Sequence, residues 1–324
     1  MIRPMPCSRE MLAKGTRSPY NNSPHHAPFP PGSLCADQGF LLDDRIGSSR
    51  SRTTTVTYWR DKVAVVTGAS QGFGRILAGQ LIQQGCHVVL AARDQAKLQA
   101  AAQAIDPDGQ QTTIIPTDVT SDDSVVELFR QVQERHGKLD GLFNIAGASA
   151  RGLLCETSID DFLISFDLNV LSSIRCVQAA CEMLKASQGH VVNMGSLASK
   201  SASKYIGPYA TSKFALAGMN HQLRLELADS GVHVMLVCPG PIARDDAGQR
   251  YEMPATGLPE AARSPGAGVK VKAIDPTDLA RRVLSGCEKH QTEIVIPGKA
   301  RLLFSIAQLS GAWGDWLLKR FTSS

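Results

Sequence analysis

Two residues in the second half of the chain carry proton-transfer chemistry at a spacing that lets them cooperate. Tyr209 and Lys213 stand four apart in Tyr209-Ala210-Thr211-Ser212-Lys213, so on a helix they share one face. A free phenol titrates near about pH 10, too high for a base at neutrality. A neighbouring ammonium favours the phenolate and lowers that value. Ser196, 13 positions upstream of Tyr209, closes the run Asn193-Met194-Gly195-Ser196, a separation that leaves room for a loop to return to the Tyr209 helix. Nearby Tyr205 has no such partner, because its fourth neighbour is Tyr209.

A second group of residues has the spacing of a phosphate cradle. In Thr67-Gly68-Ala69-Ser70-Gln71-Gly72-Phe73-Gly74, Gly68 permits a tight turn, Gly72 lets the backbone approach a pyrophosphate, and Gly74 lets a helix pack closely on a strand. The helix start then points free N–H groups and a positive dipole end at the phosphates. An ordinary glycine-rich turn is the plainer reading of the trio alone. Its position between a strand and a helix, at the opening of a βαβ unit, favours dinucleotide binding.

These residues need a scaffold, and the apolar pattern supplies one. Short runs over Lys62–Val66, His87–Ala91, Thr112–Pro116, Leu139–Ile145, His190–Met194, His233–Val237 and Glu293–Ile296 read as strands. Between them, helical spacing runs over Gly72–Gln84, Ala96–Ile105, Ser124–Arg135, Ile159–Leu184, Tyr209–Ala228 and Thr277–Cys287. Continuous β-branched strands alternating with amphipathic helices predict a doubly wound α/β Rossmann fold, a parallel sheet of about seven strands covered on both faces. Ligands in such sheets bind beyond the carboxyl ends of the strands, where Ser196 falls.

The end of the second strand bears on which dinucleotide binds. An acidic residue there grips the ribose 2′-hydroxyl of NAD, whereas an Arg accommodates the 2′-phosphate of NADP. The chain reads Leu90-Ala91-Ala92-Arg93-Asp94. Arg93, assisted by Ser70, predicts NADP(H) over NAD(H). Two other readings stay open: Arg93 as a solvated loop charge, and Asp94 turned inward to select NAD.

Taken together, these motifs resemble the short-chain dehydrogenase/reductase family, in its single-domain branch. The resemblance spans Asp61 to about Gly298. It rests on TGxxxGxG at 67–74, Asp118-Val119, Asn144-Ile145-Ala146-Gly147, Asn169, Ser196, the YxxxK pair and Pro239-Gly240-Pro241-Ile242. It implies that Tyr209 is the acid/base, that Lys213 lowers its pKa and holds the nicotinamide ribose, and that Ser196 holds the carbonyl or alkoxide oxygen. It implies that Asn169 positions a water linking Lys213 to solvent. It further implies that Asp118 and Val119 flank the adenine, that Asn144, Ala146 and Gly147 run beside the adenosine ribose, and that Pro239, Gly240 and Ile242 face the nicotinamide. Two departures stand out. Ile145 replaces the second Asn of the usual NNAG, and Ala243-Arg244 stands where many relatives have a Thr that bonds the carboxamide. A backbone group or Arg244 is the expected substitute.

Composition narrows the function classes. Of 324 residues, 43% are hydrophobic and 20% charged, a globular balance. The first sixty residues hold 8 Lys/Arg and 4 Asp/Glu, and the remainder holds 26 of each. A neutral body lacks the basic face that nucleic-acid binding requires. No run approaches the roughly 20 apolar residues of a membrane span. The 8 cysteines and 8 histidines are scattered, with no CxxC and no metal spacing, which points to no metal, no disulfide framework and a reducing, cytoplasmic setting.

Residues 1–57 hold 7 of the 17 prolines and no lasting apolar period, and read as a disordered extension. A non-native stretch ahead of a start near Val56, and a transit peptide, are alternatives at this point. Residues 58–298 form the catalytic domain in this reading. Asp245–Ala273, rich in Gly and Pro, is the lid candidate. Lys299–Phe321 carries Leu302, Leu303, Ile306, Leu309, Trp313, Trp316, Leu317 and Phe321 at helical spacing. Two readings of that helix stay open: packing on the body or a partner subunit, and lying on a membrane surface as a peripheral contact. The leading function is reduction or oxidation of a ketone/secondary-alcohol pair, with a 3-oxoacyl or other lipid-like carbonyl among the substrates considered. A non-catalytic NADP-binding sensor and a non-redox epimerase or dehydratase are the alternatives. The partner is a small carbonyl or alcohol, and the resemblance implies a homo-oligomer.

Overall fold

Seven strands pair into one parallel sheet in a computed structural model that describes residues 57–244, 258–263 and 272–310, with Ala312 and Trp316. The strands are β1 (Val63–Thr67), β2 (His87–Ala92), β3 (Thr112–Pro116), β4 (Gly141–Asn144), β5 (His190–Met194), β6 (His233–Pro239) and β7 (Glu293–Ile296). Their order is β3-β2-β1-β4-β5-β6-β7. The order reverses between β1 and β4, so a crevice opens beyond the carboxyl ends of these two strands. The helices are α1 (Gly72–Gln83), α2 (Gln95–Ile105), α3 (Asp122–His136), α4 (Ile159–Phe166), α5 (Ser172–Ser187), α6 (Gly207–Glu226), α7 (Pro276–Glu288) and α8 (Gly298–Leu309).

The central strands β1, β4, β5 and β6 are buried along their length because helices cover both faces. Ala64 and Val66 of β1 face a core with Leu77 and Leu81 of α1 and Leu279 and Val283 of α7. Val65, pointing the other way, meets Leu128 and Val132 of α3 and Ala180 and Leu184 of α5. Alternation along the strand thus divides one apolar run between two cores. Trp59 is fully buried and seals the start of the sheet against Phe143 and His190.

Local chemistry sets the helix ends. Ser121 caps α3 by accepting from the Ser124 N–H, Asp122 and Asp123 sit in its first turn, and Gly137 ends it in the left-handed conformation. Asp275 caps α7 ahead of Pro276. The single helix expected over Ile159–Leu184 is instead two, α4 and α5, joined by a π-helical turn at Asp167–Leu171. Apolar spacing cannot reveal such a turn, since one extra residue barely disturbs the stripe.

Sequence distance also concealed a histidine cluster at the amino end of the sheet. The β5–β6 register sets His190 beside His233, with His290 close to both rings. His190, His233 and Cys287 bring three ligand-type atoms within 4.8 Å of one another. The expectation that no histidines gather at metal spacing therefore holds along the chain but not in space. Hydrogen bonds account for the contact. His233 Nε2 donates to the Gln291 carbonyl at 2.8 Å, so its Nδ1 accepts from His190 Nδ1 at 2.9 Å. His190 Nε2 then accepts from the Tyr58 hydroxyl at 2.6 Å. Both rings are neutral in this arrangement, and burial pushes the pKa of His190 down to about 3 and lowers that of His233.

The expected N-terminal extension lies outside the described residues, Thr57 excepted. The lid candidate falls largely outside them too. The C-terminal helix is described as α8, with Phe304 buried, Leu303 half-buried and Leu302 exposed. Among the described residues, no helix is long and apolar enough to cross a membrane.

Candidate active site

The glycine turn leaves β1 and enters α1 at the floor of the crevice. Gly68 and Gly72 adopt positive φ of 68° and 55°, a region costly for residues with a Cβ. A methyl group on Gly74 would lie 2.4 Å from the Gly68 carbonyl oxygen, so the helix can approach the strand only without one. Gln71, the residue before α1, makes no side-chain cap. The first-turn N–H groups therefore lack that partner, and Phe73 and Gly74 of this turn line the crevice. Thr67 is buried and braces the turn, its hydroxyl accepting from the N–H groups of Ile145 and Ala146 at 3.0 and 3.2 Å.

At the end of β2 both candidate selectors, Arg93 and Asp94, line the crevice. Asp94 is the N-cap of α2, its carboxylate accepting from the Lys97 N–H at 3.0 Å and pairing with the Lys97 ammonium at 3.4 Å. These bonds hold its pKa below the usual carboxylate range. Arg93 is exposed and lines the crevice with Ser70. Asp118 accepts from the N–H and hydroxyl of Thr120 at 3.0 and 2.7 Å, and these bonds lower its pKa.

Tyr209 and Lys213 come from the first two turns of α6, which Gly207 and Pro208 open. Lys213 is 4% exposed, and its ammonium donates to the Met194 carbonyl at the end of β5, 2.7 Å away. The same nitrogen lies 5.8 Å from the Tyr209 ring centroid. Burial lowers the pKa of Lys213 to about 8. Ser196 follows β5 in extended conformation, its oxygen accepting from the Ala198 N–H at 3.1 Å.

Asn169 sits in the π turn, 1% exposed. Its amide donates to the Ala148 carbonyl at 3.0 Å and the Ser212 hydroxyl at 3.1 Å, and its oxygen accepts from the Ala148 N–H at 3.0 Å. The π turn thus ties the loop after β4 to α6. A methyl on Gly147 would meet Asn169 Oδ1 at 2.8 Å and Lys213 Nζ at 3.7 Å, so these two side chains converge at that glycine.

Sequence reasoning missed a polar ladder behind this group. Asn144 donates to Asn193 Oδ1 and Asn193 to Asn220 Oδ1, each at 2.9 Å, joining β4, β5 and α6. The signal was an Asn inside each of two apolar strands. Ser212, between Tyr209 and Lys213, was also missed.

One cleft of about 1580 Å³ joins these parts. Its wall includes Gly68, Ser70, Gln71, Phe73 and Gly74 of the turn, Arg93, Asp118 and Val119 beyond β2 and β3, and Ala146 and Gly147 beyond β4. Ser196, Tyr209, Lys213, Pro239, Gly240 and Ile242 belong to it as well. Thr67, Gly72, Asn144 and Asn169 do not line it and act on it from behind. A dinucleotide fits this donor set: a cradle that Cβ atoms would fill, and an ammonium and a phenol along the same wall.

The chain matches the family model described as short chain dehydrogenase over residues 62–254. It is 34% identical over 230 residues to an uncharacterized oxidoreductase of Staphylococcus aureus (strain MW2), covering 71% of this chain and 92% of that one. A short chain dehydrogenase/reductase from Burkholderia phymatum in complex with NAD superposes with a TM-score of 0.69 at 26% identity, covering 82% of this chain and 98% of that one. A metagenomic short-chain oxidoreductase in complex with NADP gives 0.60 at 28%, covering 73% and 97%. The crevice at the β1/β4 reversal and the Tyr209–Lys213 wall thus belong to an NAD(P)-dependent oxidoreductase, and the chain is a member of the short-chain dehydrogenase/reductase family.

Proposed function

We propose that the protein interconverts a ketone and a secondary alcohol with NADP(H), using Tyr209 as the acid/base. The observation that carries this reading is the buried Lys213 ammonium, 5.8 Å from the Tyr209 ring on the wall the glycine turn shares. In reduction the Tyr209 hydroxyl gives its proton to the carbonyl oxygen, and in oxidation the phenolate removes the alcohol proton. Lys213 stabilises the phenolate by its charge. The Ser196 oxygen accepts from Ala198, which leaves its proton to donate to the substrate oxygen. Asn169, fixed by Ala148 and Ser212, orients a water that passes protons to Lys213. The bound nicotinamide supplies or accepts the hydride, and the chain supplies position and field.

NADP(H) is the preferred cofactor in this reading. Arg93 is free to meet a 2′-phosphate, while the Asp94 carboxylate is engaged at the α2 cap. The metagenomic relative with NADP supports this choice, and the Burkholderia relative with NAD does not. Leu302, Leu303 and Phe304 of α8 form part of the cleft wall. They support an apolar, lipid-like arm on the substrate, with α8 as part of its mouth rather than a membrane anchor. The six described cysteines are free thiols, which supports a reducing, cytoplasmic setting. Exposed Ile159 and Leu163, four apart on α4, support self-association through that helix face.

A panel of ketones running from short chains to 3-oxoacyl thioesters, followed by NADPH oxidation, tests the reading. Turnover that rises with apolar chain length supports it. No turnover of any carbonyl with either NADPH or NADH would refute it.

A further inference from the structure

Arg244 lies away from the place expected for it. As a substitute for a carboxamide-binding Thr it would point at the nicotinamide. Instead its guanidinium covers Gly72, the first residue of α1. A methyl group on Gly72 would meet Nη2 at 3.0 Å, Cζ at 3.2 Å and Nη1 at 3.4 Å. The whole fork therefore lies flat against the turn, on the side where Gly72 has no Cβ.

The backbone that delivers Arg244 is anchored. Ile242 bridges Ile274, the Ala243 N–H donates to the Ile274 carbonyl at 2.8 Å, and the Ile274 N–H donates to the Pro241 carbonyl at 2.8 Å. Arg244 is the next residue, so its reach starts from a fixed point. It arrives from the β6 side of the cleft, the side that holds Ser196 and Lys213. Arg93 stands across the cleft on the β2 side.

Charge completes the argument. Residues 67–74 carry no charged side chain, so the turn itself offers only N–H groups and the helix dipole. A dinucleotide places two phosphate charges there. Among the described cleft-lining cations, Arg93 and Lys97 lie at the end of β2, Arg151 donates to the Ser149 hydroxyl in the loop after β4, Lys213 is held on the Met194 carbonyl, and Lys299 sits at the start of α8. Arg244 is the cation set against the turn.

We propose that Arg244 is a cofactor-binding residue that grips the pyrophosphate, at the phosphate nearer the nicotinamide. A guanidinium fork matches two phosphate oxygens at once. The contact spans the cleft from the β6 loop to the β1–α1 turn, so cofactor binding ties these two segments together. The proposal rests on the dinucleotide reading above, and binding of NADP⁺ to the unaltered protein tests that reading separately.

The test is a set of binding titrations, by calorimetry, on the full chain and on Arg244→Ala, Arg244→Gln and Arg244→Lys. The probes are NADP⁺, NAD⁺ and adenosine 2′,5′-bisphosphate, which carries the 2′-phosphate and one 5′-phosphate but no nicotinamide-side phosphate. Arg244→Ala and Arg244→Gln are expected to raise the Kd of NADP⁺ and NAD⁺ by the same factor, about tenfold or more. Arg244→Lys, which keeps the charge but not the fork, recovers only part of that loss. The bisphosphate stays within about twofold of its original Kd, as one contact removed elsewhere requires. An unaltered melting temperature without cofactor separates lost contact from lost fold. Three results would each overturn the proposal: NADP⁺ affinity unchanged in Arg244→Ala, a loss confined to NADP⁺, or an equal loss for the bisphosphate.

Discussion

The Lys213 ammonium is pinned to the Met194 carbonyl at 2.7 Å, which holds a charge from α6 against the end of β5. Burial without a carboxylate partner is costly for that charge, and its pKa falls to about 8. Between pH 8 and the unfolded value near 10.5 the unfolded chain binds the extra proton, so stability rises with pH across that window. Below pH 8 the cost is carried in full. Lys213→Met should therefore raise the melting temperature at pH 7 while lowering kcat by at least about a hundredfold. Thermal melts and steady-state kinetics on the one variant check both halves. A destabilised variant would mean that the ammonium contributes to the fold rather than burdening it.

The His190–His233 pair makes the protein sensitive to acid. Folded pKa values lie below the unfolded value near 6.5, with His190 at about 3. The unfolded chain therefore takes up protons first as pH falls. The stability present above pH 6.5 drains away as pH falls, for His190 down to about pH 3 and by up to about 1.4 kcal/mol per pH unit, with His233 adding in the same direction. Denaturant melts from pH 7 to pH 4 read this slope. His233→Gln should flatten it, and an unchanged slope would mean that other groups govern the acid limb.

Arg93 and Asp94 should separate cleanly. Arg93→Ala is expected to lower kcat/KM for NADPH by about tenfold or more while leaving NADH within about twofold. Asp94→Ala removes the α2 cap and should lower thermal stability slightly without favouring either cofactor. A gain in NADPH preference on removing Asp94 would show that its carboxylate faces the ribose.

Asn169→Ala should cost about 2 kcal/mol or more. It leaves the Ala148 N–H and carbonyl and the Ser212 hydroxyl without their buried partner. Chemical denaturation measures this. The same variant should slow turnover, since Asn169 and Lys213 converge at Gly147.

Much of this architecture is legible in the chain because its signals are local. The turn at 67–74 needs glycines at fixed offsets, and the Tyr209–Lys213 spacing needs only a helix. Strand positions show as β-branched runs because both faces of the sheet are covered. What escaped depends on register and reach. His190 and His233 are 43 residues apart and adjoin only through the β5–β6 pairing. The π turn at Asp167–Leu171 leaves no mark in the apolar stripe. Thr67 reads as a cofactor contact by motif, yet its hydroxyl is spent on Ile145 and Ala146. Arg244 lies against Gly72 because of where Ile242 and Ile274 bridge, which spacing alone does not encode.

Replacing Tyr209 by Phe removes one hydroxyl and little else, and so isolates the proton transfer on which the functional account depends. With a carbonyl that the unaltered protein reduces, Tyr209→Phe should bind NADPH within about twofold of normal and lose at least about a hundredfold in kcat. Turnover that persists within a few-fold of the original, with cofactor bound, would contradict the account.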